Sequence, residues 1–136
     1  MDIAQHIALL DELCLRPFPA EHGHHLAVLE SSHGLRGGDC AERAVTAEQY
    51  RKVRDAIFER VAPRWGETDP WNLQTVLLRT EREEIPEPWA SLSARADTAH
   101  LWEIVGTGRW VAVAVADRDR TDEVQLVAVV TETDPP

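Results

Sequence analysis

The sequence has no apolar run close to the roughly 18 residues that a membrane-spanning helix needs. Its first segment, Met1–Leu15, carries Asp2, Asp11 and Glu12 where a secretory signal would carry basic residues. Internal repeats and low-complexity segments are also missing. We therefore expect a single cytoplasmic domain over residues 1–136, in which residues 133–136 form a short tail.

Cysteine is scarce, and the motifs that usually announce an enzyme are missing. Cys14 and Cys40 are isolated and form no C-x-x-C pair. The phosphate-binding patterns G-x-x-x-x-G-K-[ST] and G-x-G-x-x-G do not occur, and neither does the metal-binding spacing H-x-x-x-H. The sequence contains no nucleophile elbow. We therefore predict no catalytic residue and no cofactor, and a non-enzyme is the favoured class.

Lysine is limited to Lys52, and acidic residues outnumber basic ones by 24 to 14, which gives a formal net charge of −10. Such a surface repels phosphate groups, so we expect neither nucleic acid nor a membrane as a partner. A basic protein or a cationic ligand suits it better. Solubility alone is the other explanation of this charge.

The last third of the chain predicts the centre of the fold. Three consecutive strands are expected at Ala99–Val105, Arg109–Ala116 and Glu123–Thr131. The middle strand alternates valine and alanine, so both of its faces are apolar and we expect both to be covered. Upstream, Asp2–Cys14 has apolar residues at helical spacing, and His24–Ser31 alternates like a strand.

The rest of the chain supplies a second helix and its connections. Thr46 predicts the N-cap of that helix, with Gln49 three residues later as its capping-box partner. Asn72–Thr80 alternates and predicts a strand, and Trp89–Arg95 predicts a short helical turn that has Pro88 at its first position. The predicted class is α+β, with an antiparallel or mixed sheet of about five strands, two main helices on one face and a C-terminal three-strand meander.

Tryptophan is the most unusual feature, with five in the chain. Two of them surround the carboxylates of the segment 65–71, and an acidic connection follows at residues 81–87. Aromatic rings and carboxylates together suit a cationic or arginine-bearing partner. The alternative is that the tryptophans close the ends of a small core. Our leading hypothesis is a protein-binding module of inhibitor, immunity or accessory type, and its candidate residues are Trp65, Glu67, Asp69, Trp71, Glu81, Glu83, Glu84 and Trp89.

A small-molecule-binding or enzymatic domain is the alternative function. The glycine-rich segment 33–40 contains His33 and Asp39, which can transfer protons, and Arg36, which can bind an anion. Trp102 completes this candidate ligand set, and a closed cavity that it shared with Trp110 and Tyr50 would favour the hypothesis. A flexible surface turn is the simpler interpretation of the segment.

Two further hypotheses concern metal and self-association. His22, His24 and His33 form a weak candidate metal site, because neutral imidazole binds zinc, copper and nickel. The strand Glu123–Thr131 is long and apolar. If it lay at the edge of the sheet, it would pair with a second copy and form a homodimer.

Overall fold

The described part of the chain, residues 2–21 and 23–136 of the computed structural model, forms an α+β fold with one antiparallel sheet. This confirms the predicted fold class. In chain order the elements are α1 (Ile3–Leu15), β1 (His24–Ser31), α2 (Cys40–Trp65), β2 (Trp71–Asn72), α3 (Leu73–Arg79), α4 (Trp89–Arg95), β3 (Ala96–Ile104), β4 (Arg109–Ala116) and β5 (Gln125–Thr131).

The strands lie in the spatial order β1-β5-β4-β3-β2, and every neighbouring pair is antiparallel. Strands β3, β4 and β5 follow one another in both sequence and space, so the predicted C-terminal meander is confirmed. The third of these strands begins at Gln125, two residues later than expected, and β3 begins earlier, at Ala96.

Helices cover both faces of the sheet, and the alternation along β4 explains how. Its valines, from Val111 to Val115, belong to the core formed with the two main helices, α1 and α2. Its alanines, from Ala112 to Ala116, belong to a second core formed with the short helices α3 and α4. All of β4 from Val111 onward is buried, as predicted for a strand that is covered on both faces.

Helix α2 begins seven residues earlier than predicted, at Cys40 rather than directly after Thr46. Asp39 is its N-cap, and the Asp39 carboxylate accepts a hydrogen bond from the amide of Ala41 at 2.8 Å. Asp39 and Glu42 have the same three-residue spacing as Thr46 and Gln49, so both sites satisfy the local rule for a helix start. The longer helix is selected by tertiary contacts of its first two turns.

The predicted strand Asn72–Thr80 is wrong, because only Trp71–Asn72 pairs with β3 and a helix follows from Leu73. Asn72 caps this helix by accepting a hydrogen bond from the amide of Gln74 at 2.9 Å. The buried residues Leu73 and Val76 are three positions apart, so they share one face of a helix. A short apolar run fits both the two-residue period of a strand and the roughly 3.6-residue period of a helix, and the Asn72 cap favours the helix.

The condition on which the homodimer was predicted, a last strand at the edge of the sheet, is not met. Strand β5 lies inside the sheet between β1 and β4, so both of its edges are already paired. The outer strands are β1 and β2. Among the described helices, none combines the length and the apolar character needed to cross a bilayer.

The small side chains on one face of β4 allow the short helices to approach closely, and this can be tested. We predict that Ala114→Leu lowers the free energy of unfolding by about 1–3 kcal/mol, because Ala114 is fully buried and added volume strains a packed core. Urea titration measures the change. The control is Ala8→Leu at an exposed position of α1, where a change within about 0.5 kcal/mol is expected. Equal effects of the two substitutions would contradict close packing on this face.

Candidate functional site

Arg43, near the start of α2, joins this helix and the segment before it to a segment 74 to 79 positions away in sequence. Its side chain is buried at 6% exposure. The guanidinium donates hydrogen bonds to four backbone carbonyls, those of Leu35 (3.0 Å), Asp117 (3.3 Å), Asp119 (3.1 Å) and Asp122 (2.7 Å). We call the start of α2 together with residues 32–39 and 117–124 the Arg43 corner.

Carboxylates complete the Arg43 corner. Glu123 accepts hydrogen bonds from the amide of Leu35 at 3.0 Å and from the hydroxyl of Ser32 at 2.8 Å. These bonds, that from Leu35 most of all, lower the pKa of the Glu123 carboxyl. The amide of Gly37 donates to the carbonyl of Arg120 at 2.7 Å. The glycine-rich segment, expected as a flexible turn, is therefore held at several points.

A cavity of about 610 Å³ opens beside the Arg43 corner, between residues 31–35 and the first turns of α2. This volume is within the range of small-molecule sites. Its lining includes His33, Leu35, Glu42, Val45, Gln49 and Tyr50. Of these residues, the sequence predicted a ligand-binding role for His33 and a place in a cavity wall for Tyr50. The exposed Val45, on an otherwise polar helix face, was the available signal.

Tyr50 and Ser32 are the most buried polar residues of the cavity lining, each with 7% exposure. The Tyr50 hydroxyl makes no hydrogen bond to any residue of the described chain. Burial raises the pKa of the Tyr50 phenol, and the carboxylates of Glu30 and Glu123 raise it further. The phenol therefore stays protonated at neutral pH, and it can both donate and accept a hydrogen bond.

The structure separates the predicted ligand residues. His33 lines the cavity, but the guanidinium of Arg36 lies 3.4 Å from Glu123 and 3.6 Å from Asp122. Asp39 caps α2. Trp102 is buried at 1% exposure and donates a hydrogen bond to the carbonyl of Gly66 at 3.1 Å.

Trp102 belongs to the core beside α1 and α2, whereas Trp110 packs against the second core on the other face of the sheet. The enclosed cavity that would have joined these two rings to Tyr50 is therefore not formed.

His24 and His33, the two predicted metal ligands among the described residues, lie apart. His24 lines a groove of about 410 Å³ between β1 and α4, whereas His33 lines the cavity beside α2. His22, the third predicted ligand, lies outside the described residues. Within residues 2–21 and 23–136, no group of three or more His, Cys, Asp or Glu side chains could hold a metal ion.

The candidate partner-binding residues occupy two loops at the β2 end of the sheet. Loop 66–70 precedes Trp71, and loop 80–88 precedes Trp89. These two rings meet edge-on with their centroids 5.4 Å apart, so the loops end side by side. The acidic positions Glu67, Asp69, Glu81, Glu83 and Glu84 are all exposed.

The carboxylates on these loops differ in their partners. Glu83 accepts two hydrogen bonds from Arg79, at 2.9 and 3.0 Å, and the contact lowers the pKa of the Glu83 carboxyl. In the described chain, no ion pair involves the other four: Glu67, Asp69, Glu81 and Glu84. Arg82 is the one basic residue in the two loops, which therefore keep a net negative charge.

The tryptophans split between the surface and the core. Trp89 is fully buried, and its indole donates a hydrogen bond to the carbonyl of Thr133 at 3.0 Å. Trp65 and Trp71 are half-buried. Trp65 lies edge-on to Trp102, with a ring separation of 5.5 Å. Trp89 therefore closes the core, as the alternative interpretation held, while Trp65 and Trp71 keep part of their surface available.

His100 is a buried titratable group on β3, with 7% exposure. Its Nε2 lies 3.4 Å from an Asp55 carboxylate oxygen, and its ring centroid lies 4.4 Å from that of Phe58. Its Nδ1 has no hydrogen-bond partner among the described residues. Burial lowers the pKa of His100, Arg54 adds to this, and the bond to Asp55 offsets part of it.

Comparison with known proteins gives no match among family models, curated proteins or solved structures.

The Arg43 corner predicts a large effect of removing its guanidinium. We expect Arg43→Met to lower the free energy of unfolding by about 2–3 kcal/mol, because buried carbonyls lose their donors while the aliphatic volume is kept. Urea titration measures the loss, and faster exchange of the Gly37 amide locates it in the corner. Arg60→Met, at an exposed position, is the control. A loss no greater than that of the control would contradict the role assigned to Arg43.

The lowered pKa of His100 predicts a pH dependence of stability. Between the lowered pKa in the folded state and about 6.5 in the unfolded state, the unfolded chain binds more protons. The free energy of unfolding must therefore decrease as the pH falls through this window. We expect His100→Gln to reduce this loss of unfolding free energy at acid pH. Urea titrations between about pH 7.5 and about pH 5 measure it. His33→Gln, at an exposed position, should leave the loss unchanged, and equal pH profiles for wild type and His100→Gln would contradict the argument.

Proposed function

We propose that this chain is a non-enzymatic, cytoplasmic protein-binding module of inhibitor, immunity or accessory type, which meets a basic partner through its acidic loops. The observation that carries the proposal is the set of exposed carboxylates on loops 66–70 and 80–88 that make no ion pair in the described chain. The ring contact between Trp71 and Trp89 supports it, because it brings the ends of the two loops together. A net charge of −10 disfavours nucleic acid and anionic membranes as partners.

The chemistry of these loops suits arginine- or lysine-bearing surfaces. Glu67 and Asp69 stand between Trp65 and Trp71, both half-buried. The chain's own Arg64 guanidinium already lies 5.4 Å from the centroid of the Trp65 ring, and a ring of this kind suits a cation. A partner's guanidinium beside Trp71 would be attracted by the ring and by the neighbouring carboxylates together. Charges at a rim of this kind mainly accelerate association and select the partner, and their effect weakens as salt screens them.

Charge reversal tests the proposal. The variant Glu67→Lys, Asp69→Lys, Glu81→Lys, Glu84→Lys is compared with a matched control that carries Glu21→Lys, Glu48→Lys, Glu59→Lys and Glu132→Lys. Both change the net charge by the same amount, and the control positions are exposed. With tagged protein in lysate of its own organism, we expect the wild type and the control to retain one basic protein at low salt. The loop variant should lose it.

The salt dependence gives a second readout. We expect the captured protein to be released as the ionic strength rises, because rim charges are screened within about 8–10 Å at moderate salt. Retention by the loop variant, equal loss from the control variant, or failure of the wild type to capture any protein at any salt would contradict the proposal.

The alternative function, binding of a small molecule, is favoured by one observation, the cavity of about 610 Å³ beside the Arg43 corner. It uses different residues from those of the acidic loops. The two functions can therefore be tested separately on the same protein.

A further inference from the structure

The walls of the cavity combine apolar and negatively charged surface. Leu35 and Val45 line it, and Val45 keeps 60% of its surface exposed although it lies within a helix. Covering an exposed apolar side chain with a ligand contributes favourably to the free energy of binding. Glu42, on the same wall, is exposed and makes no ion pair in the described chain.

The charges around the cavity are predominantly negative. The carboxylates of Glu30 and Glu123 are close enough to act on the Tyr50 phenol. Arg36, on the segment that forms one wall, is engaged with Glu123 and Asp122. His6 contacts Glu30 at 2.6 Å, so this carboxylate has a partner as well. Glu42 is therefore the carboxylate on this wall that is left to meet a ligand.

Tyr50 supplies the second polar group. It is buried at 7% exposure, it lines the cavity, and its hydroxyl makes no hydrogen bond within the described chain. A hydroxyl that makes no bond within the chain can donate a hydrogen bond to a ligand or accept one from it. Gln49 and Thr46 offer further donors and acceptors beside it.

We propose that the cavity beside the Arg43 corner binds a small organic cation, a molecule that carries a protonated amine on an apolar body. The ammonium group is held by Glu42 and also donates a hydrogen bond to the Tyr50 hydroxyl oxygen, while the apolar body covers Val45 and Leu35. This inference rests on the alternative function, small-molecule binding, and does not depend on the basic protein partner.

The test uses three probes with the same apolar body and different charge: phenethylammonium, 2-phenylethanol and phenylacetate. Each is titrated into isotopically labelled full-length protein and followed by amide chemical shifts. We expect the ammonium compound alone to give saturable shifts, and these should be confined to residues 31–35 and 41–50. Such a pattern assigns both the place and the charge preference.

Three variants check the assigned contacts. Glu42→Gln should weaken binding of phenethylammonium about fivefold, the effect expected for a partly exposed charge contact. Tyr50→Phe keeps the buried ring and should weaken binding by a similar factor, about fivefold, through loss of one hydrogen bond. Glu59→Gln removes an exposed carboxylate elsewhere on α2 and should leave affinity unchanged. The unperturbed amide spectrum confirms that each variant is folded.

The outcomes separate the two levels of the inference. Saturable binding of 2-phenylethanol or phenylacetate in the cavity, as strong as that of the amine, would overturn the cation preference while keeping the small-molecule function. No saturable shift from any probe at millimolar concentration, or shifts outside the cavity, would overturn both. Equal weakening by Glu59→Gln and Glu42→Gln would show general charge attraction and overturn the assigned site. None of these results bears on the acidic loops.

Discussion

The hydrogen bonds of Arg43 are the interaction on which the rest of the structure depends. A guanidinium presents donors in a fixed planar fork, so one side chain can reach carbonyls from several segments at once. Here it joins Leu35, after β1, to the loop between β4 and β5. The penalty for burying the charge is offset by these bonds, and the result is that an outer strand, a central hairpin and the longest helix share one anchor.

This anchor also explains the most informative error of sequence analysis. Thr46 and Gln49 form a valid local start signal, and so do Asp39 and Glu42. The choice between them depends on Arg43, whose partner Asp122 is 79 positions away in the chain. Local rules contain no information about a contact of that separation. By contrast, the meander depended only on alternation over strands that neighbour each other in sequence, and it was predicted correctly.

The same distinction applies to the candidate sites. Exposure of the acidic loop residues follows from local composition, so Glu67, Asp69, Glu81 and Glu84 lie where the sequence placed them. The role of a tryptophan depends on what packs against it. Trp89 was grouped with Trp65 as a residue beside a loop, yet it is fully buried. The cavity beside α2 escaped prediction because its walls come from a loop and a helix whose start was misplaced.

The contacts of the individual arginines show where the net charge of −10 is located on the molecule. Arg43, Arg109 and Arg118 all donate hydrogen bonds to backbone carbonyls, so these guanidinium groups stabilise the fold. Arg51 is likewise engaged with the carboxylate of Asp117 at 2.9 Å. The positive charge is thus largely committed to the fold. On the two acidic loops, Glu83 is paired with Arg79, whereas Glu67, Asp69, Glu81 and Glu84 make no ion pair in the described chain. The negative potential there is a consequence of how arginine is used rather than of composition alone.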